Sequence, residues 1–377
     1  MNRRDRLIAI LRGETVDRPA VSFYEINGLD EKPEDPDPFN IYSHPSWQPL
    51  LELAREKTDR IVMRGIAFNE VLPDPLAGIA REESVIRNGS LFVIRSVRVG
   101  NRTLTSRSRR DPDMNTVWTI EHLLKDAQDL KTFLQLPPFD AEGTPDISPV
   151  LQAEKELGDT GIVMIDTPDP LCLAASLFEM GEYTVVALTE TGLFHQLLDR
   201  FAQTLYPKTE ATAKALPGRL WRIYGPEYAS PPYLPPRLFR EYVCGYDTPM
   251  LSAIRHSGGY PRVHSHGKLR LILDDIVSMG TAALDPVEPP PQGDMELAEV
   301  RERCGGQLVL FGNLEVSDIE NLPTKQFAEK VKQALAEGPN DNGTGFVLMP
   351  SSCPCGRELS ARALRNYETI IDVVEKM

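Results

Sequence analysis

One pattern restricts the folds open to this chain more than any other: short apolar runs alternating with longer helical patterns. The runs are Ile162–Ile165, Leu220–Tyr224, Pro261–Val263, Ala282–Leu284, Leu308–Phe311 and Phe346–Met349. Between and after them lie helical stretches at Leu171–Phe178 with Phe194–Ala215, Pro236–His256, Leu269–Met279, Met295–Arg303, Lys325–Ala336 and Ser360–Glu375. Two earlier runs, Ala20–Tyr24 and Arg60–Met63, bring the strands to eight. Eight strand–helix units predict a (β/α)8 TIM barrel, in which each helix crosses over to return the chain to a parallel strand. A doubly wound sheet is the alternative, but no strand leads into a Gly-rich turn of the dinucleotide-binding kind. Gly267-Lys268 lacks the earlier glycine of a phosphate-cradling loop.

The remaining segments fit around that barrel as one domain spanning residues 1–377. An amphipathic helix from Arg4 to Leu11 ends at Gly13, a residue suited to a helix C-cap. Asp30 to Pro49, rich in Pro and Asp, reads as a long irregular loop, and Leu50 to Lys57 as a helix. Ser84–Arg87, Leu91–Val99 and Thr103–Arg107 have strand propensity and are separated by Asn88-Gly89 and Gly100-Asn101. Such dipeptides favour tight hairpin turns, so an antiparallel insertion is expected over about residues 84–110. From Ile120 to Phe133 the pattern turns helical.

Charge and cysteine usage narrow the function. The formal net charge is −14, which disfavours nucleic acid and anionic membranes, since both reward clustered Lys and Arg. No apolar run approaches the roughly 18 residues of a membrane span. Five cysteines scattered over the chain make no disulfide framework, and a reducing cytoplasm is the simplest setting. A small-molecule substrate is the expected ligand.

In a barrel of this kind the chemistry sits at the carboxyl ends of the strands. Reading those ends gives Glu25 and Asn27, Arg64, Asp166, Glu227, His264 with His266, Asp285 with Glu288, Asn313, and Cys353 with Cys355. A strand repeats every two residues, so His264 and His266 would face the same way. A lone histidine there reads as a core residue satisfied by its neighbours. Two imidazoles and a thiol, Cys353, converging from different strand ends are donors suited to zinc. Cys353 and Cys355 read equally as inert buried thiols. Glu227, in a Pro-rich loop, is open to three roles: a fourth metal ligand, a partner to an imidazole, or a general acid or base. Asp166 and Glu288 join it as candidate catalytic carboxylates.

Several of these residues carry a family resemblance. Arg4 to Val21 resembles the amino-terminal signature of the uroporphyrinogen decarboxylase superfamily. Pro236, Phe239, Gly258-Gly259, His264 to Gly267, Met279-Gly280 and Gly312-Asn313 are similar too, as are Gly345 to Pro350, Leu359 and Asn366-Tyr367. The resemblance implies a (β/α)8 barrel with its cleft at the strand carboxyl ends. It also implies one of two chemistries. The decarboxylases proper place an Arg-rich motif after the first strand to pair with substrate carboxylates. Here Phe23 to Gly28 holds an acid and no arginine, and the strand ends carry one Arg against at least five acids. The other branch contains zinc-dependent methyltransferases that move a methyl group from a corrinoid on a partner protein to a thiol. Their ligands resemble a His-x-Cys pair and a later Cys. His264, His266 and Cys353 occupy those places, with His266 departing from cysteine.

The resemblance therefore implies a zinc-dependent methyltransferase, with Tyr24, Asn27, Arg64, Tyr224 and Asn313 shaping a substrate pocket. A decarboxylase-like lyase for a porphyrinogen or a smaller carboxylate is the alternative, and a non-enzymatic ligand-binding barrel the second. A homodimer is compatible with all three.

Overall fold

A computed structural model of the chain describes residues 1–69, 76–138 and 142–377. Eight strands form the expected parallel barrel: β1 (Ala20–Val21), β2 (Arg60–Arg64), β3 (Gly161–Pro168), β4 (Leu220–Tyr224), β5 (Tyr260–His264), β6 (Ala283–Asp285), β7 (Val309–Leu314) and β8 (Phe346–Pro350). The hydrogen-bonded order runs β1-β8-β7-β6-β5-β4-β3-β2, all pairs parallel. Strands of such a sheet are covered on both faces, which is why they read as unbroken apolar runs. All five residues of β8 are buried. Outside the strands lie amphipathic helices, such as Ala361–Val374, which buries Ala363, Tyr367, Ile370, Ile371 and Val374 and is capped by the Ser360 hydroxyl.

The barrel interior has its own apolar core. Ile61, Met164, Leu220, Ala283, Phe311, Val347 and Met349 point inward from six strands and meet Leu7 and Ile10 of helix α1 (Arg3–Leu11). That helix thus seals the amino-terminal end, leaving the carboxyl ends of the strands as the open mouth.

One seam of the barrel is closed by a side chain. Among the described residues no ladder joins β1 to β2. Instead Asp59, fully buried, donates its N–H to the Val21 carbonyl at 2.7 Å and accepts the Val21 N–H on its carboxylate at 2.9 Å. The same carboxylate takes Nη1 of Arg6 at 2.5 Å and Nη1 of Arg18 at 2.9 Å.

The insertion is larger than its sequence signals. It is a four-stranded antiparallel sheet of Ala80–Arg87, Ser90–Val99, Arg102–Arg110 and Val117–Glu121. Both expected hairpin turns form, with Asn88, Gly89 and Gly100 at positive φ. The fourth strand corrects the expected helix start at Ile120. Val117 to Ile120 are β-branched or aromatic residues that pair with Arg107 to Arg110, and the helix begins only at Ala127, where the Asp126 side chain caps the Asp129 N–H. The expected loop before residue 50 holds two short 3₁₀ turns, Ile41–Ser43 and Pro45–Trp47, and buries Trp47 completely. Three helices, Ser148–Leu157, Met180–Thr189 and Val316–Asn321, have no counterpart in the sequence reading. No described helix is long and apolar enough to cross a membrane.

Removing the Asp59 carboxylate leaves Arg6 buried without its inner partner. Loss of one member of a buried charge pair costs roughly 3–5 kcal/mol. Asp59→Ala should lower the urea midpoint accordingly, whereas Glu375→Ala, which removes an exposed ion pair with Lys57, should leave it nearly unchanged. Equal effects of the two substitutions would contradict the seam's role.

Candidate active site

Strand β5 builds one side of the mouth. Its period of two sends Arg262 and His264 inward together. In register beside His264 stands Asp285, the last residue of β6 and fully buried. Asp285 accepts a hydrogen bond from His264 Nδ1 at 2.8 Å, and its other oxygen lies 3.0 Å from Nε of the buried Arg262. The second contact is an ion pair in poor hydrogen-bond alignment, since neither atom has an aligned partner. The Arg262 guanidinium also faces the Phe311 ring at 4.8 Å.

Two residues beyond, His266 repeats the arrangement. Its Nδ1 donates to Glu288 at 2.8 Å, and the other Glu288 oxygen accepts the Gly267 N–H at 2.7 Å. The two imidazoles meet edge to face with centroids 4.7 Å apart. With a carboxylate on each Nδ1, the hydrogen-bond network assigns the proton there and leaves each Nε2 with a free lone pair. Burial disfavours charge on both His266 and Glu288. Their hydrogen bond and mutual attraction outweigh it, raising the His266 pKa and lowering that of Glu288.

The second half of the mouth is carried by β1, β3, β4 and the loop after β8. Tyr24 stacks on His264 with centroids 6.1 Å apart. Arg222 of β4 donates to the Tyr24 hydroxyl at 2.5 Å and grips Asp166 of β3 with two bonds of 2.6 and 3.1 Å. The Tyr224 ring lies 5.0 Å from the same guanidinium. Glu25 is 4.0 Å from Arg222 and accepts the Cys353 thiol at 3.3 Å. Burial, and then the Glu25 charge, push the Cys353 pKa well up, so in this arrangement the thiol is a protonated donor. A polar chain thus runs from Cys353 through Glu25 and Arg222 to the Tyr24 hydroxyl, and the Tyr24 ring stacks on His264. The insertion sits beside it: the Asn115 N–H donates to the Cys355 carbonyl, and the Arg357 N–H to that of Asp113, both at 2.7 Å.

The structure therefore brings together Tyr24, Asp166, Tyr224, His264, His266, Glu288 and Cys353. It places three other candidates differently. Asn27 is spent on the backbone, its side chain accepting the Leu29 and Asp30 N–H groups and its carbonyl accepting Arg60. Arg64 is held by Asp30 at 2.7 Å. Asn313 lines a separate crevice with Phe327 and Lys330. Glu227 accepts the Gly225 N–H at 3.0 Å and makes no hydrogen bond to an imidazole, although its charge raises the His266 pKa.

Behind Glu227 lie two fully buried carboxyls, Asp169 and Asp247, which the sequence reading missed. Burial pushes both pKa values well up, the Asp247 charge adds to the rise at Asp169, and neither Asp247 oxygen has an aligned hydrogen-bond partner. Gly225, at φ 133°, passes so close that a Cβ would collide with the Asp169 carboxylate.

The charge balance of the mouth also needs correcting. Strand ends alone showed one arginine among acids, but Arg222 and Arg262 stand in the strand interiors and face inward. Each is matched by a carboxylate, so the interior is balanced. A charged residue in the middle of a buried run, as in Leu-Trp-Arg222-Ile-Tyr, was the available signal.

The donors present meet the zinc expectation in part. The two imidazoles fit, because a carboxylate on Nδ1 is the usual support of a metal-binding histidine. Cys353 is engaged with Glu25, and among the described residues no three His, Cys, Asp or Glu side chains are grouped to hold a metal ion.

A parallel eight-stranded barrel with a polar, titratable mouth at its strand carboxyl ends defines the class: a (β/α)8 barrel organised like an enzyme. The sequence profile of the family described as Uroporphyrinogen decarboxylase (URO-D) matches residues 119–359, and the chain belongs to that family. Among solved structures it is similar to a methyltransferase from Methanosarcina mazei, at 17% identity and a TM-score of 0.61, covering 100% of this chain and 99% of that one. That likeness establishes a shared fold along the whole length. A D-psicose 3-epimerase (12% identity, TM-score 0.34, covering 61% of this chain and 83% of that one) shares too little to inform function. The same holds for a Bacteroides ovatus GH5 xyloglucanase (8% identity, TM-score 0.32, covering 84% and 98%). Comparison with curated proteins finds no match.

Acid stability gives a direct check on the Asp285 cluster. Burial alone would raise the Asp285 pKa, but Arg262 and His264 outweigh it and hold it at about 2. Because this lies below the roughly 3.9 of an unfolded aspartate, the stabilisation is complete above that value and lost as pH falls towards the folded one. Asp285→Asn should lower stability at neutral pH and flatten the loss of the urea midpoint on acidification across that window. An unchanged acid slope would show that Asp285 does not titrate as the geometry requires.

Proposed function

We propose that this chain is a methyltransferase of the URO-D family, taking a methyl group from a corrinoid carried on a partner protein and delivering it to a thiol. The observation that carries the reading is the pair of imidazoles at the mouth, each with Nδ1 fixed by its own carboxylate and Nε2 left as a donor. The fold shared with a methyltransferase supports it. His264 and His266 would hold zinc, with Cys353 as the further protein ligand once its thiol leaves Glu25. Zinc bound there supplies positive charge that lowers the pKa of a thiol.

The chain's own residues then have defined tasks. Asp285 and Glu288 keep both rings oriented and both Nδ1 atoms protonated. Glu25, already accepting a thiol hydrogen bond from Cys353, is placed to take a thiol proton. Tyr24 packs against His264, while Arg222, fixed by Asp166 and Tyr24, presents a rigid cationic surface to the rest of the substrate.

A second reading, a lyase acting on a small carboxylate, is favoured by one observation: Arg222 lies within the mouth beside a tyrosine hydroxyl, a pairing able to receive a carboxylate.

Purified protein should carry about one zinc per chain, with His266→Ala largely emptied of it. Glu288→Ala, which frees the ring of His266, should bind zinc about 10–100-fold more weakly. With a methylated corrinoid as donor, thiol methylation should stop on chelation and return with zinc. Zinc absent from the wild type, or unaffected by His266→Ala, would remove the metal from the reading. Carboxylate turnover that survives chelation would favour the lyase.

A further inference from the structure

The opposite end of the barrel holds a feature that the mouth chemistry does not use. Between α1 and the starts of β3, β4 and β5 lies a cavity of about 430 Å³, lined by Ile8, Arg12, Ile162, Arg219 and Tyr260 among others. A second cavity of about 390 Å³ adjoins it, sharing Leu11, Arg12, Gly258 and Tyr260 and adding Arg255. Each falls within the range of small-molecule sites.

We infer that this amino-terminal cleft is a binding site for an organic anion: an aromatic or aliphatic body bearing a phosphate, sulfonate or carboxylate head. Three observations converge on that class. The chain carries a net charge of −14, yet the described residues lining the two cavities include Arg4, Arg12, Arg219 and Arg255 against a single acid, Glu154. That acid is already taken, by Arg219 at 3.0 and 3.1 Å. Positive charge is thus concentrated in a concave place on a chain whose overall field would repel an anion, and a local cluster of this kind supplies the attraction such a ligand needs.

Two of the four cations, Arg12 and Arg4, are also available. Arg12 is exposed and has no ion-pair or hydrogen-bond partner of its side chain among the described residues. Among the described residues, the Arg4 side chain is held only by contacts of 3.5 Å, to Asp5 and to the Gly158 carbonyl, at the limit of a hydrogen bond. Guanidinium groups present several donors in one plane and suit the oxygens of an anionic head.

Apolar side chains share the lining with these cations. Ile8, Leu11, Ile162 and Tyr260 are each half-buried, giving a ligand body a surface that is still partly wet and can be desolvated by binding. A lining both cationic and apolar distinguishes an organic anion from a bare inorganic one, which would gain nothing from the apolar part.

The probe is 1-anilinonaphthalene-8-sulfonate, an aromatic sulfonate whose fluorescence rises on leaving water. Wild-type protein should bind one dye saturably per chain. Arg12→Glu and Ile8→Glu should each weaken it about tenfold or more, equivalent to about 1.4 kcal/mol at 25 °C. Arg12→Lys, which keeps the charge but not the planar fork, should weaken binding less than Arg12→Glu, and His266→Ala, at the far mouth, should leave dye binding unchanged. Thermal unfolding of each variant confirms that the fold is intact; Arg12 is exposed, so its replacement is tolerated. Absence of saturable binding would overturn the inference, as would binding indifferent to both Arg12→Glu and Ile8→Glu. So would dye lost in His266→Ala, which would place it in the mouth.

Discussion

A charge buried inside a barrel must find its opposite there, and this requirement organises the mouth of the molecule. Arg262 and Arg222 stand on inward positions of β5 and β4, where water does not reach them freely. Asp285 answers the first and Asp166 the second. The cost of leaving either unpaired would be several kcal/mol, so each pair is fixed in place. Once Asp285 is fixed, it has a second oxygen to satisfy, and the register of β5 against β6 offers His264 to it. Once Arg222 is fixed, its remaining donor reaches Tyr24, and Tyr24 lies against His264. The orientation of the histidines is thus a consequence of charge pairing one layer deeper in the barrel.

The same logic explains why the two imidazoles differ in setting. His264 shares its carboxylate with an arginine and is nearly inaccessible. His266, on a loop beyond the strand, shares Glu288 with a backbone N–H and no other charge, and remains partly open to solvent. One ring is a fixed support and the other meets whatever enters the mouth. That asymmetry suits a site in which one donor anchors a bound group and the other adjusts to it.

Much of this was legible in the sequence, for physical reasons. Strands covered on both faces leave continuous apolar runs, and all eight were readable. The histidine pair was readable through the two-residue period of β5, and the hairpin turns through Asn88-Gly89 and Gly100-Asn101. What escaped was of two kinds. Val117 to Glu121 runs directly into a helical pattern, and only pairing with Arg107 to Arg110 decides between strand and helix. The inward arginines and the Asp169–Asp247 pair depend on which face of an element each residue occupies, and attention to strand ends alone passes over them. The contact of Cys353 with Glu25 joins the two ends of the chain, where no spacing rule applies.

The side-chain seam at Asp59 has a mechanical meaning for the mouth. Strand β1 is only two residues long and is laddered on one side alone, yet Tyr24 and Glu25 follow directly upon it. Strand β5, which carries His264 and leads into the loop of His266, is laddered along its length on one side and over three residues on the other. The mouth therefore has a fixed jaw and a sprung one. His264 is held in that ladder by hydrogen bonds on both sides. The jaw that bears Glu25, and through it the Cys353 thiol, hangs from a clasp of one carboxylate and two arginines. Clearance for an incoming molecule would come from that side.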